Sequence, residues 1–346
     1  MQPSRKPNQL DVARLANVSR TTVSFVLNDV AGSAISPETR QRVLAAAEEL
    51  GYVPDAAAQA LASRRSKIIG LVLARNTHHI SSDAYLTLIL DTLVSSVRAE
   101  GMRLMFDIVE GEHHRDAYLE LIRSKRIDGM ILSGPRFDDQ ALQALEEEGF
   151  PTVLMGQLPG SSCRCVDVDN RSAARQAVDH LISLGHQRIA CITNASLEYT
   201  AAVERLEGYR SALVNAGLPY DDAYIRYGDF DPDSGHARMH ELLKQDPIPT
   251  AVFIASDVVA FGAVAAIGEA GLRIPEDIAI VSFDNVPLSR YVQPALTTIN
   301  LPAKQLALKT SEILMHLIRN EPVDEKQVLL DTELIIRESC GASHQR

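Results

Sequence analysis

Eight short apolar runs, separated by stretches of helical period, constrain the fold of this chain more than any other feature. They lie at Ile68–Leu73, Arg103–Ile108, 129–132, Thr152–Met155, 163–168, 188–192, Ala251–Ile254 and 278–283. Between them, stretches such as 86–100, 117–125, 173–184, 203–216 and 260–270 repeat apolar residues at helical spacing. Strands alternating with helices predict parallel sheets with crossover helices. The first four runs and the last four predict two doubly wound lobes. A ligand belongs in the cleft at the carboxyl ends of such strands. Receptors, enzymes and sensors can all use this body, so the fold does not choose among them.

The chain has 346 residues, more than one ordinary core holds, and 46% hydrophobic against 23% charged residues is a globular composition. Aromatics are 5% with no Trp, so packing rests on aliphatic side chains. No apolar run reaches the roughly 18 residues of a membrane span, and the polar residues 1–10 lack the apolar stretch of a secretion signal. Cys163, Cys165, Cys191 and Cys340 are too few for a disulfide framework. The expectation is a cytoplasmic protein with reduced thiols.

A net charge of −11 argues against a polyanionic partner until its distribution is considered. Residues 1–66 hold eight basic and six acidic side chains, whereas the remaining 280 residues hold 26 and 39. A mildly basic head on an acidic body suits a module that meets a polyanion. Within that head, residues 9–17 place Leu10, Val12, Ala13, Leu15 and Ala16 near one helical face. Asn17 follows as a turn residue that tolerates a left-handed backbone. Ser19 caps a second helix, Arg20–Leu27, with Val23, Val26 and Leu27 inward and Arg20, Thr21, Ser24 and Phe25 outward. This is helix-turn-helix spacing, in which the second helix enters the major groove. Ser36-Pro37-Glu38 starts a third helix with Val43, Leu44, Ala47 and Leu50 on one face and Gly51 at its end. A three-helix domain with no DNA role has the same spacing, so this stretch by itself leaves the function open.

The stretches LDVARLANVSRTTVSFVLND and SPETRQRVLAAAEELGYVPDAAAQALASRRS resemble the LacI/GalR family of bacterial transcriptional repressors, and the resemblance extends to about residue 340. It implies an all-α helix-turn-helix head over 1–53, a hinge helix over 54–66, an α/β sensor body over 67–340 and a tail at 341–346. The two doubly wound parallel-sheet lobes would resemble a periplasmic binding protein, with an N-lobe of about 67–166 and 297–323 and a C-lobe of about 167–296 and 324–340. A homodimer on double-stranded operator DNA is implied as well. Ser19, Thr22 and Asn28 match phosphate-contact positions, and Arg20 and Thr21 match base-reading ones, with Ser24 on the same outward side. Phe25 stands where the family commonly carries Arg, so a ring able to press on a thymine methyl replaces a guanine contact. In the hinge, Ala57 and Ala58 match small residues where two helices meet or touch the groove, and Leu61 matches the apolar wedge that kinks the duplex. So short a helix is marginal in water, which explains folding on DNA.

The resemblance also assigns the cleft. Arg205 in LEYTAAVERLEGYRSAL matches an Arg that binds effector hydroxyls, for which a guanidinium offers a planar fork of donors. Phe230 in GDF matches an aromatic that stacks on a sugar or base. Ser256 and Asp257 in FIASDVVAFGA face the cleft, although Asp257 can instead cap the helix that follows. Asp284 in IAIVSFDN accepts from sugar hydroxyls. On the other wall the candidates are Asn76, Asp83 and Tyr85 after the first strand, Ser133 after the third and Gln157 after the fourth. Gln157 follows Gly156, where some sugar-binding relatives carry an acid.

Cys163-x-Cys165 has no second ligand pair, and His78-His79 and His113-His114 are adjacent pairs that point apart, so no metal is expected. No Gly-rich phosphate loop, G-x-S-x-G or H-E-x-x-H occurs, so neither a cofactor nor an enzyme is expected. The reading is a ligand-responsive repressor of sugar uptake or catabolism genes, released from its operator by a sugar. A purine-type corepressor-dependent repressor is the alternative, and a periplasmic-type sugar receptor is a rival that the head disfavours.

Overall fold

The computed structural model describes residues 6–28, 34–53, 65–75, 80–109, 114–137 and 139–342. Asp55 to Arg64 of the expected hinge, including Ala57, Ala58 and Leu61, lie outside them, as do Asn76, His78, His79 and His113. The chain divides into two compact units, 1–67 and 68–346.

Among its described residues the first unit has three short helices, each begun by a side chain that satisfies free backbone amides. In α1 (Gln9–Ala16) the Asn8 side chain accepts from the Leu10 and Asp11 amides while Asp11 accepts from the Asn8 amide. Asn17 ends α1 in the left-handed region, φ 52°. Ser19 caps α2 (Arg20–Leu27) by accepting from the Thr22 amide at 3.0 Å. Ser36 caps α3 (Pro37–Glu49), whose first residue is proline. Val12, Ala13, Ala16, Val23, Val26, Val43, Ala46 and Ala47 form the core. Leu10, Leu15 and Leu44 were expected inside but are 47%, 46% and 48% exposed. The buried stripe of α1 is 12, 13 and 16, and that of α3 is 43, 46 and 47. These three leucines lie about a hundred degrees of helical rotation away.

The second unit holds two six-stranded sheets. In the first, β1 (Ile68–Leu73), β2 (Arg103–Ile108), β3 (Gly129–Ser133), β4 (Thr152–Met155), β5 (Arg164–Val168) and β11 (Gln327–Leu330) run in the order β11-β5-β4-β3-β1-β2, all parallel. In the second, β6 (Ile189–Thr193), β7 (Ile225–Tyr227), β8 (Ala251–Ile254), β9 (Ala279–Asp284), β10 (Thr297–Asn300) and β12 (Glu333–Ile335) run β12-β10-β9-β8-β6-β7, with β12 antiparallel. The helices are α4 (Ala84–Ala99), α5 (His114–Arg123) and α6 (Gln140–Glu147) in the first lobe, and α7 (Asn170–Ser183), α8 (Thr200–Asn215), α9 (Pro232–Leu242) and α10 (Asp257–Glu269) in the second. α11 (Ala303–Ile318) returns to the first lobe.

All eight apolar runs become strands. The expected lobe boundaries need correcting at three places, the first at 297–300, expected in the N-lobe although β10 pairs with β9 and β12 in the second sheet. The run at 163–168 is expected in the second lobe from its place in the sequence, but β5 pairs with β4 and β11 in the first sheet. Likewise 324–330 belongs to the first lobe, because β11 lies along β5, so the last crossing falls between β11 and β12. The strands β7, β10, β11 and β12 were missed. Ile225–Tyr227 has three residues, and Gln327–Leu330 alternates exposed and half-buried residues at a sheet edge. The four cysteines are free thiols. Among the described residues no helix is long and apolar enough to cross a membrane.

Candidate functional site

Both sheets have their strand switch beside the first strand of the lobe, between β1 and β3 and between β6 and β8. A cavity opens where the carboxyl ends of the two sheets face each other, as the doubly wound arrangement requires. Its walls come from residues just past strand ends: Arg75 after β1, Ser133 at the end of β3, Asn194 after β6, Ser256 after β8 and Asp284 at the end of β9. Helix-borne side chains close it, notably Tyr85 from α4, Asn170 from α7 and Arg205 from α8.

Two ion pairs organise the walls. Arg75 pairs with Asp83 in the first lobe, and Asp83 also caps α4 through the Leu86 amide at 2.8 Å. In the second lobe Arg205 is 6% exposed. It donates to Asn170 Oδ1 at 2.9 Å and to the Ala255 carbonyl at 2.6 Å, and lies 3.6 Å from Asp284. Its guanidinium also sits 3.8 Å over the Phe283 ring. Burial pushes the Asp284 carboxyl up to about 7, with Arg205 pulling partly against it. Burial likewise raises Asp167, and takes Glu204, behind Asp167, up to about 7. Asp284 has φ 108° and Phe230 φ 56°, conformations that side-chain-bearing residues rarely adopt and that cluster at functional sites.

The aromatic wall spans both lobes. Phe230 packs edge-to-face against Tyr199 with 5.0 Å between ring centres, and Arg75 covers the Phe230 ring at 4.3 Å. The Tyr199 hydroxyl donates to the Ala74 carbonyl of the other lobe at 2.8 Å. Beside it the Phe137 amide donates to the Glu198 carbonyl at 2.9 Å, the Thr200 amide donates to the Pro135 carbonyl at 3.3 Å, and Arg136 pairs with Glu198 at 2.9 Å. The lobes are thus latched together along one side of the cavity.

Of the residues expected at the cleft, Tyr85, Ser133, Arg205, Phe230, Ser256 and Asp284 come together on the cavity wall, as does Asp83. Two do not. Gln157 turns to Asp167, donating from its amide at 3.1 Å and its side chain at 3.4 Å, so it supports a lining carboxylate without lining the cavity itself. Gly156 has φ 123°, and a Cβ there would sit 2.6 Å from Pro135 Cδ, so the acid is supplied from Asp167 instead. Asp257 is fully buried and accepts from the Ser282 and Thr298 hydroxyls and the Val286 amide, tying α10 to β9 and β10, while Ser256 caps the helix. The sequence reading missed Arg75, Asp167, Asn170, Asn194 and Tyr199.

In the first unit α2 buries Val23 and Val26 and exposes Ser19, Arg20, Thr21 and Phe25, with Thr22, Ser24 and Asn28 half-buried. Phe25 is 40% exposed, a large ring left outside a core of small aliphatic residues.

A helix-turn-helix unit joined in one chain to a body with a polar cavity between two doubly wound lobes defines a class, the ligand-controlled DNA-binding regulator. The family model for bacterial regulatory proteins of the lacI family matches residues 10–55, and that for a periplasmic binding protein-like domain matches 178–340. The HTH-type transcriptional regulator CelR of Thermobifida fusca is 35% identical over 342 residues, 98% of this chain and 100% of its own. The transcriptional repressor PurR of Klebsiella pneumoniae is 35% identical over 336 residues, 96% of each chain. Among solved structures, a CelR–cellobiose complex superposes with a TM-score of 0.75 at 34% identity, covering 96% of this chain and 99% of that one. A lac repressor dimer bound to operator and the anti-inducer ONPF gives 0.84 at 29%, covering 97% and 99%. The chain belongs to the LacI family of bacterial transcriptional regulators.

Proposed function

We propose that this regulator is a cytoplasmic homodimeric repressor that holds its operator through α2 and releases it when a neutral sugar occupies the cavity. It performs no chemistry on that sugar. Arg20, Thr21 and Phe25 face base edges, Ser19, Thr22 and Asn28 lie toward the phosphates, and Ser24 meets the DNA on the same outward side as Arg20 and Thr21. Ala57, Ala58 and Leu61 keep the hinge roles that the resemblance gives them. In the cavity Tyr85, Ser133, Arg205, Phe230, Ser256 and Asp284 contact the ligand, joined by Arg75, Asp167, Asn170, Asn194 and Tyr199.

The observation that carries the sugar reading is a pair of orphaned polar atoms. Arg75 Nε, a donor, and Asn194 Oδ1, an acceptor, are buried without a hydrogen-bond partner among the described residues. They lie on cavity walls from opposite lobes. Buried polar atoms are rarely left unpaired, so a ligand that both donates and accepts fits them. A hydroxyl does both. The two cations on the wall, Arg75 and Arg205, already face the carboxyls of Asp83 and Asp284, which disfavours an anionic effector. The aromatic rings of Tyr85, Tyr199 and Phe230 suit a sugar's apolar face. The identity to CelR puts cellobiose and simpler glucosides first in a panel that also holds hypoxanthine and guanine. The test is a gel-shift on an operator selected from random DNA, repeated with each compound. A sugar that releases DNA supports the reading, and tighter DNA binding with a purine replaces it with corepression.

A further inference from the structure

Away from the cavity, α9 and α10 carry a set of side chains that neither DNA binding nor effector binding uses. His236 and His240 are four residues apart on α9, which puts both imidazoles on one helical face. Both aim at Glu269, the last residue of α10. His236 Nε2 lies 2.9 Å and His240 Nε2 lies 3.1 Å from the same atom, Glu269 Oε2. One donor atom from each of the three residues falls within 4.8 Å of the others. The imidazole side chains are 37% and 38% exposed and the carboxylate 59%, so an ion can reach them.

We propose that His236, His240 and Glu269 form a binding site for a divalent transition ion of the zinc type. Two imidazoles and a carboxylate are a common set for such ions, and solvent supplies the remaining position. A tetrahedral ion about 2.0–2.1 Å from each ligand needs ligand atoms about 3.3 Å apart, and the two imidazole–carboxylate distances, 2.9 and 3.1 Å, are within a few tenths of an ångström of that spacing. On binding, each Nε2 turns a lone pair to the ion with its ring proton on Nδ1, and Glu269 coordinates as the carboxylate.

The support is rigid. Gly235 and Gly262 let the two helices touch backbone to backbone: a Cβ on Gly235 would overlap the Val259 carbonyl, and one on Gly262 the Pro232 carbonyl. A site on two locked helices holds its ligands better than one on loops. Both helices begin at the cavity, α9 just after Phe230 and α10 just after Ser256, so the ion would clamp elements that carry two lining residues.

The test is calorimetric titration of zinc into the full chain, stripped beforehand with a chelator, with His240→Gln and Glu269→Gln alongside. Wild type should take up one ion per chain at this site, and its melting temperature should rise with zinc and fall again with chelator. Each variant should weaken that uptake at least about tenfold while keeping the chelator-treated melting temperature of wild type. Because these side chains are partly exposed, folding should survive, and cellobiose binding by either variant checks the cavity independently. Absence of zinc uptake by wild type overturns the proposal. So does uptake unchanged in both variants, which would place the ion elsewhere, for instance at Cys163 and Cys165.

Discussion

At the scale of single residues, the cavity is built from carboxyls held against their preference. Asp284 ordinarily titrates near 3.8, and burial raises it to about 7 in the folded protein. The folded state therefore binds a proton that the unfolded chain has lost across that interval. This contribution to stability is complete below the unfolded value and vanishes as pH rises through the folded one. Asp284→Asn removes the titration. Wild type should lose stability relative to Asp284→Asn between about pH 4 and pH 7, read as urea midpoints at several pH values. A pH-independent difference would mean that Asp284 titrates normally. Phe25 makes a second residue-scale prediction. Operators selected by wild type should favour thymine at the step it contacts, and Phe25→Arg should shift that preference toward guanine. Identical selected sites for both proteins would remove Phe25 from specificity. Arg205, Phe230 and Asp284 were legible because each sits inside a quotable family motif. Arg75 lies one position before the first candidate, Asn76, and no motif marks it. Asp167 was hidden within the apolar run 163–168, where a lone carboxylate was the available signal. Asn194 and Tyr199 become site residues only when two lobes meet, which spacing along one chain does not encode.

At the scale of elements, helix starts and apolar strands were readable because they depend on neighbours in sequence. The caps at Ser19 and Ser36 and the turn at Asn17 are local, and they appear where expected. Edge strands were not readable, because β11 and β12 take their partners from residues more than thirty positions away and bury too little to leave an apolar pattern. Glycines at helix crossings are similarly silent in sequence. Gly262 looks like a weak spot inside α10, yet the close approach to α9 depends on its missing side chain. Gly208 in α8 stands against the Arg171 carbonyl of α7 in the same way. Backbone must move to admit a methyl group there, and overpacking of this kind costs about 1–3 kcal/mol or more. Gly262→Ala should lower the urea midpoint accordingly, whereas Gly268→Ala should not, since a Cβ there meets nothing within 4 Å and alanine favours helix. Equal midpoints for the two variants would show that the helices can slide apart at no cost.

At the scale of the whole molecule, effector control requires two arrangements of the body that bind ligand unequally. The latch beside the cavity is a set of lobe-to-lobe contacts that a separation of the lobes would break. Its Arg136–Glu198 pair is an unpromising handle, because Glu198 is 55% exposed and such pairs contribute little. The Tyr199 hydroxyl is better. It is buried, reaches across to the Ala74 carbonyl, and can be deleted while the ring keeps its contact with Phe230. Losing one neutral buried hydrogen bond costs about 1 kcal/mol. If that bond exists only when the lobes are together, Tyr199→Phe shifts the population toward separated lobes by the same amount. Sugar affinity should then fall, by about fivefold at most, by calorimetry, and X-ray scattering of the ligand-free variant should report a larger radius of gyration. More sugar should be needed to release the operator by a similar factor, with operator affinity in its absence unchanged or slightly higher. Unaltered sugar affinity in Tyr199→Phe would mean that this bond persists in both arrangements, and the bistable element would have to be sought among the three chain crossings between the lobes, after β5, β10 and β11.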